Sequence, residues 1–203
     1  MEEVIAKALT SAFSYRDYRN LIEELLSKNQ TTGPNQSEDY IHYTLMNDVR
    51  MKRLEKTTRI LLEYQKIMAR EAEDQIWLII TEAWCGDAAQ VIPVIEKLAD
   101  LNPAIETRYV LRDEHLDLMD KFLTNGGRSI PKIIVLDKKT GHVQMSWGPR
   151  PIEAQGMVNA RIIEESPEPY AEFSIKLQRW YAKDKTLSIQ DEFMKSYSES
   201  ISA

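Results

Sequence analysis

Apolar residues recur along this chain with two different periods, and the change of period divides it. Tyr15, Tyr18, Leu21, Ile22, Leu25 and Leu26 fall three and four residues apart, which lines one helical face, and Ser14 with Asp17 has the spacing of a capping box at its start. The stretch from Thr31 to Gln36 is rich in turn formers. Ser37 then caps a second helix that carries Glu38 and Asp39 in its first turn. With no Gly or Pro to interrupt it, that helix is expected to run to about Arg70. Its apolar residues cover more than one narrow stripe, so it must pack on two sides or bend. From residue 75 the pattern changes to short apolar runs separated by helical ones. Strands are predicted at Ile76 to Thr81, Glu106 to Arg112, Ile133 to Asp137 and His142 to Trp147, and helices at Ala88 to Leu101, Leu116 to Leu123 and Ile152 to Glu164. Asn125-Gly126-Gly127 ends one helix, and Lys138 to Gly141 has hairpin chemistry. Beyond Pro167 and Pro169, Tyr170, Phe173, Leu177, Trp180 and Tyr181 mark another helix, and Ile189, Phe193 and Tyr197 a last one.

The order β-α-β-α-β-β-α between residues 75 and 165 defines an α/β core around a partly parallel, mixed sheet. Three segments are expected: an N-terminal helical extension at 1–73, the α/β domain at 74–166, and a C-terminal helical extension at 167–203. Helices on both ends could cap the core or pair two copies in a homodimer.

Composition narrows the function classes. At 203 residues, 43% hydrophobic and 29% charged, the chain fits a folded globular protein. A formal charge of -6, with each of the three segments acidic on balance, opposes nucleic acid and anionic membrane surfaces as partners. No apolar run approaches the roughly 20 residues of a membrane span, and the start, Met1-Glu2-Glu3, lacks the bases of a secretory signal. A single cysteine, Cys85, excludes an internal disulfide and suits a reducing compartment, so a cytoplasmic location is expected. His42, His115 and His142 have no metal-ligand spacing, and no metal site is expected. The basic cluster Arg50, Lys52, Arg53, Lys56 and Arg59, interleaved with Asp48 and Glu55, reads as a solvated helix face.

Cys85 follows an apolar strand and opens a helix, where amide groups and the helix dipole favour a thiolate. Around it, Trp84-Cys85-Gly86-Asp87-Ala88 resembles the Trp-Cys-x-x-Cys motif of the thioredoxin family, with Pro93 placed like that family's helix proline. Ile130-Pro131 resembles the family's Ile-Pro with a cis peptide bond beside the active cysteine, and Arg128 matches a common arrangement there. The resemblance covers residues 75 to 165 and implies a thioredoxin-like fold, with Cys85 as the catalytic group and Trp84, Gly86, Asp87, Arg128, Ile130 and Pro131 shaping a substrate groove.

The motif departs from the family where the chemistry lies. Ala88 replaces the second cysteine, so no intramolecular dithiol reaction is expected, and a mixed disulfide needs an external thiol such as glutathione. The family's buried acid aligns with Ile79. Asp87 sets a like charge against the helix terminus. One pKa unit is about 1.4 kcal/mol and a helix end supplies roughly 0.3 to 1 kcal/mol, so the two are expected largely to cancel and leave Cys85 near its ordinary value of about 8.5. The implied function is monothiol redox chemistry on a protein or small-molecule thiol or disulfide, with Cys85 accessible in a crevice and no resident cofactor. The alternative is a non-catalytic thioredoxin-fold module that recognises an extended peptide or partner protein. Chemistry like that of monothiol glutaredoxins ranks below both, because Gly86-Asp87-Ala88 does not reproduce their motif.

Overall fold

A computed structural model describes residues 2–69 and 73–201. Four helices precede the sheet: α1 (Glu2–Leu9), α2 (Tyr15–Ser27), α3 (Glu38–Thr57) and α4 (Leu62–Met68). Ser14 caps α2 as its sequence predicts, its Oγ accepting the Asp17 amide at 3.2 Å. The short α1, whose Ile5 and Ala8 are buried, was not legible in the pattern.

The helix predicted from Ser37 to Arg70 is two helices, and Arg70 itself lies outside the described residues. Its break at Thr58 to Leu61 has a physical cause far along the chain. The side-chain amide of Gln190, fully buried, accepts the Leu61 N–H at 2.9 Å and donates to the Arg59 carbonyl at 3.2 Å. A side chain thus supplies partners that a continuous helix would have found in its own backbone.

The sheet order is β2-β1-β3-β4, with β1 (Gln75–Thr81), β2 (Ile105–Leu111), β3 (Lys132–Asp137) and β4 (Val143–Trp147). β1 runs parallel to β2 and antiparallel to β3, and β4 returns antiparallel to β3. The helices α5 (Gly86–Ala99), α6 (Leu116–Met119) and α7 (Ile152–Ile163) complete the order β-α-β-α-β-β-α. α6 is shorter than the predicted Leu116 to Leu123. The central strand Gln75-Ile-Trp-Leu-Ile-Ile-Thr81 is apolar on both faces because both are covered. Trp77 meets Phe193 and Tyr197 edge-on, while the hydroxyl of Thr81, on the same face by the period of two, is hydrogen-bonded with the Tyr18 hydroxyl of α2 at 3.3 Å. On the edge strand, Phe13 exchanges two backbone hydrogen bonds with Tyr109, which occupies part of that edge.

Two further helices follow, α8 (Tyr170–Asp184) and α9 (Leu187–Ile201). α9 brings Phe193 and Tyr197 to the core, and α8 lies over the start of α5, where Gln178 donates to the Gly86 carbonyl at 3.3 Å and accepts from Gln90 at 2.6 Å. The flanking helices therefore wall the carboxyl end of β1, the place where an open α/β sheet presents its chemistry. Among the described residues no helix is long and apolar enough to cross a membrane.

Candidate functional site

β1 ends at Thr81 and α5 begins at Gly86, so Cys85 stands at the turn between them as the residue that caps α5. Its Sγ accepts the Ala88 N–H at 3.4 Å, and its S–H donates to the Ile130 carbonyl at 3.3 Å. The Ile130–Pro131 peptide bond is cis. Pro131 is buried behind Ile130, and Gly148 packs against it so closely that a Cβ there would lie 2.4 Å from the Pro131 oxygen. Lys132, the next residue, crosses to the Gly148 carbonyl at 2.9 Å and the Thr124 hydroxyl at 2.7 Å. The Thr124 and Gly148 segments are thereby tied to the residue that follows Pro131.

A cavity of about 730 Å³ opens beside Cys85. Trp84, Gly86, Asp87, Ile130 and Arg128 line it together with the cysteine, so the structure gathers all the sequence-predicted site residues except Pro131 around one space. Their roles within it differ. Trp84 lies under the Arg112 guanidinium, 4.8 Å from its ring centroid, and 4.9 Å from the Tyr40 ring. Arg128 is exposed at the rim and engages Asp120 through two nitrogens, at 2.6 and 2.9 Å.

The environment of Cys85 departs from the expected one. The residue is only 8% exposed, and burial, followed by the charge of Asp87, pushes the thiol up to about 12. The Ala88 amide and Arg150 act in the opposite direction but do not offset burial. The cancellation expected between helix start and Asp87 leaves out desolvation, which is the largest effect. Asp87 is itself buried: Arg150 donates to one carboxylate oxygen at 2.7 Å and the Tyr181 hydroxyl to the other at 2.6 Å. Arg150 also donates to Gln155 at 2.9 Å, while its Nε is buried without a partner among the described residues.

Several contributors escaped the sequence reading. Tyr40, Tyr43, Asn47 and Arg50 of α3 recur at three and four residues and turn one face of that helix into a cavity wall. The spacing was legible, but nothing local said which surface it faced. Arg50, read as part of a solvated face, lies on this wall. Tyr170 and Leu177 of α8 form the opposite one. Ile79, at the aligned position of the family's acid, is apolar and fully buried, but Glu82 supplies a buried carboxyl at the end of the same strand. It accepts the Asp113 amide at 2.9 Å, and burial raises it to about 7. Among the described residues no group of three or more His, Cys, Asp and Glu side chains is placed to hold a metal ion.

A mixed four-stranded sheet, a cysteine at the start of the helix after its central strand, and a facing Ile-Pro segment define a thioredoxin-like protein. A family model described as thioredoxin matches residues 33–166, which is 134 of 203 positions, and the chain belongs to that family. Two solved structures share the fold. One is the crystal structure of an HIV epitope scaffold, 14% identical over 92% of this chain and 99% of its own, with a TM-score of 0.54. The other is a protein of unknown function from Pseudomonas aeruginosa, 16% identical over 92% of this chain and 98% of its own, also with a TM-score of 0.54. No curated protein matches the sequence.

Proposed function

We propose that this chain is a ligand-binding member of the thioredoxin family, in which the walled cavity beside Cys85 serves recognition and disulfide turnover is suppressed. The observation that carries this reading is the buried Asp87 beside a buried Cys85. With the thiol pushed up to about 12, thiolate is scarce at pH 7. A nucleophile that scarce loses most of its rate before any substrate arrives. The missing second cysteine points the same way.

The occupant is a small molecule rather than an extended peptide. The Ile130 carbonyl, which a strand-like peptide would need as a backbone partner, receives the Cys85 S–H, and α3 and α8 stand on either side of the space. A volume of about 730 Å³ falls within the range typical of small-molecule sites.

One observation favours a second reading, monothiol exchange on a small disulfide. Cys85 lines the cavity and its sulfur receives a helix-start amide. There the Cys85 thiolate attacks one sulfur of the substrate, the other sulfur leaves as a thiolate, and an external thiol such as glutathione then displaces Cys85 from the mixed disulfide. Reaction of the purified protein with 2-hydroxyethyl disulfide at pH 7 separates the two. The recognition reading expects Cys85 to react no faster than free cysteine. A clearly faster reaction that disappears in Cys85→Ser overturns it and establishes the monothiol reading.

A further inference from the structure

Four arginines line the cavity, Arg50, Arg112, Arg128 and Arg150, against two carboxylates, Asp39 and Asp87. In a chain of net charge -6 this is a local excess of positive charge, and its members are not equivalent. Arg112 pairs with Asp113 at 2.8 Å, Arg128 with Asp120 at 2.6 Å and Arg150 with Asp87 at 2.7 Å. Among the described residues no carboxylate lies within ion-pair distance of Arg50.

Arg50 is nonetheless held in place. One guanidinium nitrogen donates to Asn47 Oδ1 at 2.7 Å, and Asn47, itself buried, donates to the Ala83 carbonyl at 2.9 Å, two residues before Cys85. The chain Arg50–Asn47–Ala83 ties the cation to the loop that carries the cysteine. Burial, followed by the nearby Arg53, lowers Arg50 from its ordinary value, so its charged form is held at a cost that a bound anion would offset. A planar guanidinium anchored through one nitrogen keeps its other donors for a second acceptor, and its fork matches a carboxylate. Aromatic pairs flank the same space. Tyr40 packs on Trp84 at 4.9 Å, and Tyr43 meets Tyr170 edge-on at 6.5 Å. Such rings favour a flat, apolar body next to the anionic end.

We infer that Arg50 is the anion-recognising residue of this cavity and that the ligand class is a small planar organic carboxylate, its charged end on Arg50 and its body among Tyr40, Trp84, Tyr43 and Tyr170. The inference rests on the recognition reading above and names its ligand chemistry. It also explains why α3 contributes an unpaired cation to a wall whose other arginines are neutralised.

The test titrates the full chain, at fixed ionic strength, with 2-naphthoate and with its neutral isostere 2-naphthamide, followed by amide NMR shifts. The expected result is that naphthoate binds at least fivefold more tightly than naphthamide, with shifts centred on Tyr40, Trp84 and Cys85. Arg50→Gln should weaken naphthoate at least tenfold and leave naphthamide unchanged, while Arg50→Lys should keep part of the preference. The comparison of the two probes on the unmodified chain needs no variant to fold. Equal binding of both probes, or Arg50→Gln within twofold for naphthoate, overturns the role of Arg50 but leaves the cavity as a ligand site. Failure of both probes to shift any cavity residue at 10 mM overturns the carboxylate proposal and counts against the recognition reading as well.

Discussion

Replacing Asp87 by Asn removes one charge from beside Cys85 at nearly constant shape: the amide oxygen can still accept from Arg150, and the amide NH2 that replaces the other oxygen can donate to the Tyr181 hydroxyl, which turns from donor to acceptor. In the intact protein burial and the Asp87 charge push the thiol up to about 12, which disfavours the thiolate throughout the neutral range. Burial, the largest cause, persists in the variant. The second cause disappears, and the Arg150 cation, which already favours the thiolate, is no longer neutralised by Asp87. Like-charge effects at such sites are commonly about one unit or more, so the variant should hold at least about tenfold more thiolate at any pH below the inflection. The assay is the rate of Cys85 alkylation by iodoacetamide between pH 6 and 10. Access to the sulfur is nearly the same in both proteins, so the ratio of rates at one pH reports ionisation. Leaving a buried guanidinium unpaired should also lower stability, by up to about 3 to 5 kcal/mol. Tyr181→Phe is the control, because it removes a hydrogen bond and no charge. Alkylation rates within a factor of two of the wild type, in a variant that remains folded, would refute the assignment of Asp87 as a brake on the thiol.

Three more outcomes follow from the packing. Glu82 and Glu96 are both buried and raised from 4.5 to about 7, so the unfolded chain loses these protons first as pH climbs; the stability they contribute is complete below about 4.5 and lost as pH rises through about 7. Urea denaturation should show the protein about 3 to 4 kcal/mol less stable at pH 7.5 than at pH 5.5, and Glu96→Gln should reduce that difference by up to about 2 kcal/mol; an unchanged difference contradicts the assignment. Gly148→Ala places a Cβ 2.4 Å from the Pro131 oxygen at a φ of +111°, and should cost about 3 kcal/mol or more and shift the NMR signals of Cys85; a variant as stable as wild type rules out that contact. Gln190→Leu leaves the Leu61 N–H and the Arg59 carbonyl without their partner and should cost about 2 to 4 kcal/mol, with faster hydrogen exchange at Leu61; unaltered exchange there removes Gln190 as the cause of the helix break.

The alternation of strand and helix was legible because each element of the core announces its own period, and β1 in particular is apolar on both faces. The capping of α2 was legible for the same reason: Ser14 and Asp17 are neighbours in sequence and in space. What escaped depends on residues that meet across long separations. No local feature between Thr57 and Leu62 marks the end of α3, because the partner that stabilises the break is Gln190. Asp87 reads in sequence as a groove residue whose charge opposes the helix start, but its burial against Arg150 and Tyr181, and that of the sulfur beside it, depends on distant residues. The expected near-ordinary thiol therefore failed on desolvation, a property of the assembled walls rather than of the motif. Arg50 shows the same limit: its neighbours in sequence place it in a basic, solvated face, and nothing local says that it shares a cavity wall with Tyr40, Tyr43 and Asn47 or that α8 stands opposite.

The tie between Gln190 and the α3–α4 elbow spans 129 positions of sequence. As a nascent chain emerges from its N-terminal end, the residues of both helices are made well before those of α9, and the amide of Leu61 has only water as a partner until α9 has been synthesised and docked. Closing so large a loop is slow compared with forming either helix. The elbow is therefore among the last features of the molecule to set.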